Sequence, residues 1–537
     1  MGFFIVVWAL LLIAGRERML RDPGTLWHTV VGQHMIDQGE FPRADAFSFT
    51  CSGRPWIAQQ WLGELAMAAI NRLAGLDGLL LVAVTLLALT FASLGERLVA
   101  AGLNWAATGL LLVLTIAAAG YHFHPRPHLI TIILAAWMLL RLCDVEAGRR
   151  RLRSLWTLPV AFALWANVHG GVLGGILTAW VVFVGWAVVL IASGQRECRV
   201  GPAVAGMLML GATSGAAVLL NPYGVELPRV WLALMDSPVL PKIISEHGPL
   251  EFRSVEGVMV LALAAIYLTV LLATWRRVLR VTWLVPLLWL ALAVSRIRHA
   301  PIFALLAAVA IADMLPHSAL PEFFRRHGSG LFVAPRPLAG LRLRPSALMA
   351  ALVVLAVMLQ AGGVKCPVIG ASWATLSPGY WPVAATQTLA DSMGRAGAAI
   401  PQAREVRVFN EMLFGGYLIY RLPRAKVFID DRCELYGDGF LLDYLDLLRR
   451  PDRFDRAAEQ WRFDFALVHA GGRLAGHLHG HRDWEALQED SVASLFRRKG
   501  GVVRTASCKM RGGVNSRQTA APGLIRDGSA ADSGSGE

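Results

Sequence analysis

Hydrophobic residues are concentrated in eleven blocks separated by short polar segments along the first two-thirds of the chain. A helix needs about 20 apolar residues to cross the hydrocarbon core of a bilayer, and most of the blocks approach that length. The blocks lie at 1–15, 78–94, 105–120, 128–142, 155–167, 171–193, 203–220, 257–274, 281–295, 299–315 and 346–362. They predict a polytopic α-helical membrane domain over residues 1–362, with about eleven transmembrane helices.

Beyond residue 362 the pattern changes to short apolar stretches that alternate with helix-like segments. The apolar stretches lie at 406–409, 426–429 and 465–468, and the helix-like segments at 439–449 and 453–460. Short strands alternating with helices are typical of a compact α/β unit, so we predict a small soluble domain over residues 363–500. Residues 501–537 are rich in Gly, Ser, Ala and Arg and poor in large apolar residues, which predicts a disordered tail.

Basic residues set the predicted orientation, because they cluster in every second gap between the blocks. The positive-inside rule assigns such gaps to the cytoplasm. This places the N-terminus inside, and the first loop (16–77) and the C-terminal domain outside. Arg16, Arg18 and Arg21 conflict with the assignment, but the later gaps outnumber them. We therefore predict a multi-pass protein of the bacterial inner (cytoplasmic) membrane with an extracytoplasmic C-terminal domain. The basic gaps contain Arg97; Arg141, Arg149, Arg150, Arg151 and Arg153; Arg196 and Arg199; Arg276, Arg277 and Arg280; and Arg325, Arg326, Arg336, Arg342 and Arg344.

Composition supports a membrane protein and argues against other classes. Hydrophobic residues make up 55% of the chain and charged residues 17%, whereas soluble proteins average about 25% charged residues. The net charge of +13 comes from Arg runs between apolar blocks, so we expect membrane lipids and not nucleic acid as partners. The six cysteines show no CxxC spacing, and no G-x-G-x-x-G or GKS fingerprint indicates a nucleotide.

The first outer loop contains a carboxylate, Asp22, immediately before Pro23 and Gly24. Next to low-dielectric lipid, its basicity would rise and suit it to general-base chemistry. The alternative is that Asp22 caps a helix beginning near Thr25, with Pro23 at its first position. The two interpretations are compatible, because one carboxylate can serve as a cap at rest and accept a proton in a complex.

Further polar groups gather at the predicted outer ends of the spans, including Arg126, Arg296 and Arg298. A guanidinium group can bind phosphate with two parallel hydrogen bonds, so these residues are candidates to hold a lipid-linked phosphate or diphosphate. Alternatively, each Arg taken alone could extend its side chain to the anionic head groups of membrane lipids. Because three such arginines occur at the predicted outer ends, we favour phosphate binding.

Three histidines near Arg126 have the spacing His122-x-His124-x-x-x-His128. Pro125 and Pro127 interrupt any regular helix there, so we predict no dedicated metal site. A divalent cation is still conceivable as a transient partner that binds together with a phosphate through acidic residues of the outer loops.

In the C-terminal domain, Asp430 ends a predicted buried strand and is followed by Asp431 and Arg432. Ligand-binding loops of α/β units lie at such strand ends. We prefer a structural interpretation, in which an Asp–Arg pair fixes this domain onto the membrane part.

An ordered set of motifs runs through the chain. It consists of Asp-Pro-Gly-x-x-Trp-His (22–28), Phe-Pro-x-x-Asp-x-Phe-Ser (41–48), Trp-x-x-x-x-Trp-Leu (56–62), Arg-Pro-His (126–128), Asn-x-His-Gly-Gly (167–171), Asn-Pro-Tyr-Gly (221–224) and Arg-His-x-Pro (298–301). A soluble segment follows with Phe-Asn (409–410), Gly-Gly-Tyr-Leu (415–418) and Asp-x-Arg-x-x-x-Tyr (430–436). Over about residues 1–500 this order resembles bacterial membrane proteins grouped with the GT-C glycosyltransferase superfamily, of the dolichyl-phosphate-mannose/arabinose-transferase type.

The resemblance implies an inverting transferase that takes a sugar from a polyprenyl-phosphate donor on the outer membrane face. It implies that Asp22 acts as the base, and that the donor phosphate is held by Arg126, His128, Arg296 and Arg298. Members usually carry a second acidic residue close to the first, as Asp-Glu or Asp-x-Asp; here Pro-Gly follows Asp22. Residues expected to support the substrate or the site are Trp27, His28, Asp45, Asn167, His169, Glu246 and His299.

Two other functions compete with a glycosyltransferase. A non-catalytic protein could bind, translocate or assemble a polyprenyl-linked glycan through the same residues, and would need no catalytic carboxylate. An ion or solute transporter would carry charged residues in the middle of its spans, and the apolar blocks are almost free of them. The sugar and the acceptor, whether glycan, lipid or protein, are not specified by the sequence.

Overall fold

A computed structural model describes residues 1–193, 197–336, 347–364, 373–397 and 405–499. The predicted disordered tail and the predicted cytoplasmic residues Arg196, Arg342 and Arg344 lie outside these ranges. The chain forms two compact units. Unit 1 contains Met1–Phe41, Ile57–Met235 and Ile244–Thr375, and unit 2 contains Pro42–Trp56, Asp236–Ile243 and the chain from Leu376 onward.

Helices dominate the described residues. In chain order they are α1 (Gly2–Leu10), α2 (Arg16–Met19), α3 (Pro23–Gln38), α4 (Trp61–Ala100), α5 (Trp105–Ala119), α6 (His128–Glu146), α7 (Thr157–Val168), α8 (Val172–Ala192), α9 (Glu197–Ala216), α10 (Glu226–Asp236), α11 (Leu240–Ile243), α12 (Val255–Trp275), α13 (Val285–Ser295), α14 (Ala300–Met314), α15 (Leu320–Arg326), α16 (Ala347–Ala361), α17 (Val383–Gly397), α18 (Met412–Arg421), α19 (Cys433–Arg449), α20 (Pro451–Trp461) and α21 (Arg473–His479).

Each of the eleven hydrophobic blocks coincides with a helix of unit 1. Among the described residues, seven helical segments are long and apolar enough to cross a membrane, and α13 and α16 lie in shorter apolar segments. The first block continues beyond α1 through a π-helical turn, Leu11–Gly15, into α2. The predicted fold class, a polytopic helical membrane protein with a small C-terminal α/β domain, is confirmed.

The centre of unit 1 is α14, in which every residue from Ala300 to Met314 is buried. It packs against α5, α6, α12 and α13. Six of its fifteen residues are alanines, and their small side chains let the neighbouring helices approach closely. This helix is therefore the central helix of the bundle, and its N-terminus and C-terminus define the two ends of unit 1.

An acidic and basic network lies at the C-terminal ends of α6 and α14. Arg97 and Arg149 contact Asp144 at 2.7 and 2.9 Å, and Arg149 also contacts the buried Asp313. Arg280 contacts Asp313 at 2.8 Å. We call these five residues the basic-end network. Since α6 has 19 residues, it separates this network from its own N-terminus by about 28 Å, close to the thickness of a bilayer core.

Unit 2 contains a five-stranded sheet with the order β2-β1-β3-β5-β4. The pairs β1–β2 and β1–β3 are parallel, whereas β3–β5 and β4–β5 are antiparallel. The first three strands match the predicted stretches, and the terminal hairpin was not predicted. The strands are β1 (Val406–Asn410), β2 (Ala425–Val427), β3 (Phe465–His469), β4 (Trp484–Glu489) and β5 (Ala493–Arg498).

The central part of the predicted first loop packs in unit 2. Ser48 forms a parallel bridge with Val427, and Phe49 N–H donates to the Val427 carbonyl at 3.1 Å. The Thr50 hydroxyl donates to the Phe428 carbonyl at 2.7 Å. The loop predicted at 16–77 is thus divided between the two units, and residues 47–50 of its unit 2 part lie along β2.

Candidate functional site

Asp22 is the N-cap of α3. Its backbone is extended, and its Oδ2 accepts hydrogen bonds from Thr25 N–H at 2.8 Å and from the Thr25 hydroxyl at 3.2 Å. Pro23 occupies the first turn, so the predicted cap is confirmed. The second carboxylate oxygen, Oδ1, accepts from an Arg126 guanidinium N–H at 2.9 Å. One carboxylate therefore both begins a helix and binds a cation from the start of α6.

Two opposing effects set the pKa of Asp22. Burial raises the pKa of its carboxyl, but the positive charge of Arg126, with smaller contributions from His124 and His128, outweighs burial and lowers it below the ordinary value. The prediction that the membrane environment raises the basicity of this carboxylate is therefore wrong. The physical reason is a cation 104 residues away in sequence, which the local pattern does not contain.

Four histidines surround this ion pair. His124 Nδ1–H donates to the Met19 carbonyl at 3.0 Å, and His128 Nε2–H donates to the His122 carbonyl at 2.7 Å. The His128 ring centroid lies 5.6 Å from that of His122 and 6.2 Å from that of His169. The rings are fixed by backbone hydrogen bonds and by one another, which holds them in defined orientations.

A chain of hydrogen bonds from Trp165 on α7 through Thr131 on α6 orients His169. Its Nδ1 accepts from the Gly171 N–H at 3.0 Å and from the Thr131 hydroxyl at 2.9 Å, while Thr131 accepts from the Trp165 indole N–H at 2.7 Å. Nδ1 is thus an acceptor, so Nε2–H is the donor that the neutral ring can offer. Burial and the nearby His128 and Arg298 lower the pKa of His169 well below its ordinary value.

A second carboxylate enters from the loop before α12. Glu246 lies 3.5 Å from His122 Nδ1. Burial raises the pKa of Glu246, but His122, Arg298 and Arg126 together lower it well below the ordinary value. Arg298 donates a hydrogen bond to His247 Nε2. Burial, followed by the charge of Arg298, lowers the pKa of His247 to about 3, so that ring is a neutral acceptor at pH 7.

These residues form one charge-balanced group, which we call the polar cluster. Its members come from five connections between helices. Asp22 follows α2, the residues from His122 to His128 lie between α5 and the first residue of α6, and His169 lies between α7 and α8. Glu246 and His247 precede α12, and Arg298 precedes α14, so these connections meet at one end of unit 1. The basic-end network lies at the other end of α6 and α14. The polar cluster consists of Asp22, His122, His124, Arg126, His128, His169, Glu246, His247 and Arg298.

Three predicted site residues lie nearby but have structural partners of their own. His28 Nδ1 contacts Glu64 Oε1 at 2.7 Å, with both side chains buried, and the Trp27 ring lies 3.6 Å from the His28 ring. Asn167 accepts from the Trp61 indole N–H at 2.7 Å and donates to two backbone carbonyls. These contacts bind α3 and the end of α7 to α4.

Three further predicted residues are not part of the polar cluster. Arg296 donates to the Met235 carbonyl at 3.2 Å, and the His299 ring lies 5.7 Å from that of Trp289. Asp45 belongs to unit 2, where its Oδ1 accepts from Arg432 at 2.7 Å. Their predicted roles in donor or substrate binding stay predictions.

The Asp430–Arg432 pair in unit 2 is fully buried. Arg432 donates to both oxygens of Asp430, at 2.9 and 2.7 Å, and to Asp45. The Tyr436 hydroxyl also donates to Asp430 at 3.0 Å. Burial lowers the pKa of Arg432, but the two carboxylates outweigh it and raise the pKa well above the ordinary value. The group carries one positive and two negative charges, and both carboxylates also accept hydrogen bonds from hydroxyl and backbone N–H groups, which is typical of a buried structural pair.

Sequence reasoning omitted several members of the polar cluster from the candidate set. The predicted site residues do not include His122, His124 or His247. Thr131, which orients His169 from outside the cluster, carried no signal because a threonine within a span usually bonds its own helix. The useful signal is position: polar residues at alternate connections of a helical bundle meet at the same end.

Comparisons with known proteins bear on the fold. The sequence matches no family model, and no curated protein matches it. Among solved structures, the Archaeoglobus fulgidus oligosaccharyltransferase, tethered to an acceptor peptide, is 11% identical; the match covers 87% of this chain and 68% of that one, with a TM-score of 0.51. ArnT from Cupriavidus metallidurans, bound to undecaprenyl phosphate, is 14% identical over 94% of this chain and 99% of that one, with a TM-score of 0.48. At the level of the fold, this chain is similar to GT-C glycosyltransferases, and the resemblance indicated by the motifs is confirmed there.

Proposed function

We propose that this protein is a membrane glycosyltransferase that moves a sugar from a polyprenyl-phosphate donor to an acceptor on the outer face of the inner membrane. The observation that carries the proposal is the Asp22–Arg126 pair inside the polar cluster. It joins a carboxylate suited to accept a proton with a guanidinium suited to bind phosphate, 2.9 Å apart.

The distribution of charge supports an outward-facing polar cluster. The basic-end network and its neighbouring Arg residues lie at the opposite end of unit 1, and the positive-inside rule assigns that end to the cytoplasm. Arg18 is one of three basic residues that conflict with this orientation. It contacts Glu256 at 2.7 Å, so its charge is partly neutralised within the protein.

Donor binding would use Arg126 and Arg298. Arg126 is 20% exposed and Glu246 is 23% exposed, so the cluster is open to a ligand on that side. A donor phosphate oxygen would compete with Asp22 Oδ1 for the guanidinium of Arg126. Transfer of Arg126 from the carboxylate to the phosphate would raise the pKa of Asp22 and prepare it to accept a proton.

The reaction then proceeds by a single displacement. Asp22 accepts the proton of the acceptor hydroxyl, and that oxygen attacks the anomeric carbon of the sugar. The bond between the anomeric carbon and the donor phosphate oxygen breaks, with inversion. Polyprenyl phosphate leaves with the electron pair, stabilised by Arg126 and Arg298, and the proton on Asp22 passes to solvent.

The residues around Asp22 do not fit a resident divalent cation. The carboxylates of the polar cluster are Asp22 and Glu246, and the guanidinium groups of Arg126 and Arg298 already neutralise them. Oxygen-binding cations need several uncommitted carboxylate or carbonyl ligands. In the proposed reaction the arginines therefore supply the positive charge that binds the donor phosphate, and no step uses a metal ion.

An Asp22→Asn variant tests the proposal, with Asp37→Asn as the matched control. Both changes remove one carboxylate from the ends of α3, and Asp37 is exposed and paired with Arg72 away from the polar cluster. Purified variants would be assayed for sugar transfer from a radiolabelled polyprenyl-phosphate sugar, with donors chosen by mass spectrometry of envelope glycans from a deletion strain. We expect Asp22→Asn to lower kcat about 10²- to 10⁴-fold and Asp37→Asn to leave it near wild type.

The alternative, a non-catalytic protein that binds or translocates a polyprenyl-linked glycan, makes the opposite prediction. If glycan output persists in a strain carrying Asp22→Asn while Arg126→Gln abolishes it, Asp22 is a cap alone and the polar cluster is a binding site. Such a result would contradict the transferase.

A further inference from the structure

A separate group of titratable side chains lies in unit 2, on α20 and around the end of α21. Asp455 lies on α20, His477 on α21, and His481 two residues beyond α21. The potential ligand atoms of these three residues all lie within 4.8 Å of one another. No motif of the sequence analysis and no step of the proposed reaction uses them.

The three side chains converge on one point. His477 Nε2 lies 2.9 and 3.1 Å from the two oxygens of Asp455, and His481 Nε2 lies 3.6 Å from Asp455 Oδ1. The two imidazole centroids are 5.3 Å apart, with the ring planes inclined at 56°. Exposed fractions of 26% for His477, 35% for Asp455 and 20% for His481 leave one side open to water.

Buried neighbours hold each ligand in place. On α20, Phe454 precedes Asp455 and is fully buried; on α21, Leu478 follows His477 and is buried. His481 is held by Trp484, whose backbone N–H donates to the His481 carbonyl at 3.2 Å and whose side chain is buried at the start of β4. The backbone positions of all three residues are thus fixed by the core of unit 2.

We propose that Asp455, His477 and His481 form a three-ligand site for a divalent transition-metal ion, with zinc as the best-fitting ion. Zinc binds imidazole nitrogen and carboxylate oxygen at about 2.0–2.2 Å, so tetrahedral ligand atoms stand about 3.3 Å apart. The distances of 2.9 and 3.6 Å bracket that separation. Water would take the fourth position, and the two imidazoles disfavour calcium and magnesium, which prefer oxygen ligands.

Metal binding requires two local changes of hydrogen bonding. The first is at His477, whose Nε2–H donates to Asp455 at 2.9 Å and must lose this hydrogen before Nε2 can bind a metal. The second is at His481. His481 Nδ1 accepts from the Asp483 N–H at 3.2 Å. When Nε2 binds a metal, the neutral ring carries its hydrogen on Nδ1, so this weak hydrogen bond must open. Both rings must also be unprotonated, because a metal ion and a proton compete for the same nitrogen.

The consequence of the site is structural. A bound ion would join α20 to the end of α21 and the turn into β4, in addition to the packing and the Asp455–His477 hydrogen bond that already hold these elements. Because the ion binds the folded state, it would stabilise unit 2 against unfolding. The proposal is independent of the glycosyltransferase activity.

The test uses the full-length, untagged protein in detergent. After treatment with EDTA, zinc would be titrated and followed by calorimetry, by metal content per chain and by the melting temperature. We expect one zinc ion per chain and a rise in melting temperature. Asp455→Asn and His477→Ala should each weaken binding at least about tenfold. His479→Ala is the matched control, because this neighbouring histidine contacts Glu489 at 3.2 Å and lies outside the group.

Cobalt(II) gives a second readout that does not depend on the variants folding. A tetrahedral site in the wild-type protein would give the visible absorption of four-coordinate cobalt, and zinc would displace it. The proposal is overturned if the wild-type protein binds neither ion. It is also overturned if the double variant Asp455→Asn/His477→Ala, shown to be folded, binds zinc as the wild type does.

Discussion

Arg126 supplies the positive charge that controls the ionisation of Asp22. The guanidinium lies 2.9 Å from the carboxylate and overcomes the effect of burial, which alone would raise the pKa. The ordinary pKa of an Asp carboxyl is about 3.9, and a lowered value keeps Asp22 ionised throughout the physiological range. The stabilisation from this pairing is fully present above the ordinary value of about 3.9 and is lost as the pH falls through the lowered value.

The pH dependence of transfer tests this relation. In the wild type, kcat/KM should show no fall between pH 8 and pH 5 that is due to Asp22. Arg126→Gln removes the positive charge that lowers the pKa of Asp22, while the burial that raises this pKa remains. The pKa of Asp22 should therefore rise, and the fall of kcat/KM on the acidic side of the profile should move to higher pH. The measurement is a pH profile of kcat/KM for both proteins. Arg18→Gln is the control, because Arg18 contacts Glu256 and should leave the profile unchanged; an identical profile in all three proteins would exclude control by Arg126.

Local sequence predicts some properties of these residues and not others. The cap of α3 follows from Asp22, Pro23 and Thr25 within four positions of one another. Its ion pair spans 104 residues, and the contact between Glu246 and His122 joins two different loops. Because charges act through space, the sign of a pKa shift could not be predicted from the flanking sequence.

At the scale of elements, the start of α3 is shaped by a close approach to α6. A Cβ atom on Gly24 would lie 2.5 Å from Arg126 Cζ, and the atoms in the way belong to a flexible side chain. The missing side chain at Gly24 is therefore what lets the guanidinium reach Asp22.

Gly24→Ala should separate function from stability. The new methyl group displaces Arg126 from Asp22, and loss of one charged hydrogen bond corresponds to about a 10- to 100-fold fall in kcat/KM. The stability lost with the Asp22–Arg126 pairing is partly offset, because Ala favours a helix over Gly by about 1 kcal/mol, so the melting temperature should fall only modestly. Gly109→Ala on α5, with nothing within 4 Å of its Cβ, is the control. Melting temperature and transfer would be measured together; full activity in Gly24→Ala would argue against a role for the ion pair.

The elements themselves were largely predictable. Eleven apolar blocks became helices, because crossing a bilayer leaves few alternatives to a helix for a hydrophobic stretch. The hairpin of β4 and β5 was missed because Trp484–Glu489 and Ala493–Arg498 are short and mix charged with apolar residues. Such strands depend on their partner, here β3, more than on their own composition.

At the scale of the whole molecule, unit 1 has two chemically different ends. The polar cluster contains five histidines and two carboxylates matched by two arginines, whereas three of the five residues of the basic-end network are arginines. The helices α6 and α12 and the segment Ile297–His317 around α14 connect the two ends, and their lengths of 19, 21 and 21 residues match a bilayer core of about 30 Å. This asymmetry gives the orientation on which the proposed outer-face reaction depends.

Cysteine labelling at the two ends of α12 tests that orientation. Arg253 and Arg276 are exposed and lie just before and just after this helix. In a protein whose six native cysteines are replaced, Arg253→Cys should react with a membrane-impermeant maleimide in intact spheroplasts, and Arg276→Cys only after permeabilisation. The reverse pattern would put the polar cluster in the cytoplasm and contradict an outer-face transferase.

Unit 2 is assembled from three stretches of chain, and this has a consequence for its biogenesis. Asp45 and Arg432 are 387 residues apart, yet each side chain is buried against the other. The segment around Asp45 emerges from the ribosome early and must wait, unpaired, while most of the membrane helices are inserted. Completion of unit 2 can therefore come only after nearly the whole polypeptide has been made, so a truncated product would retain an unsatisfied carboxylate by which quality control could distinguish it from the finished protein.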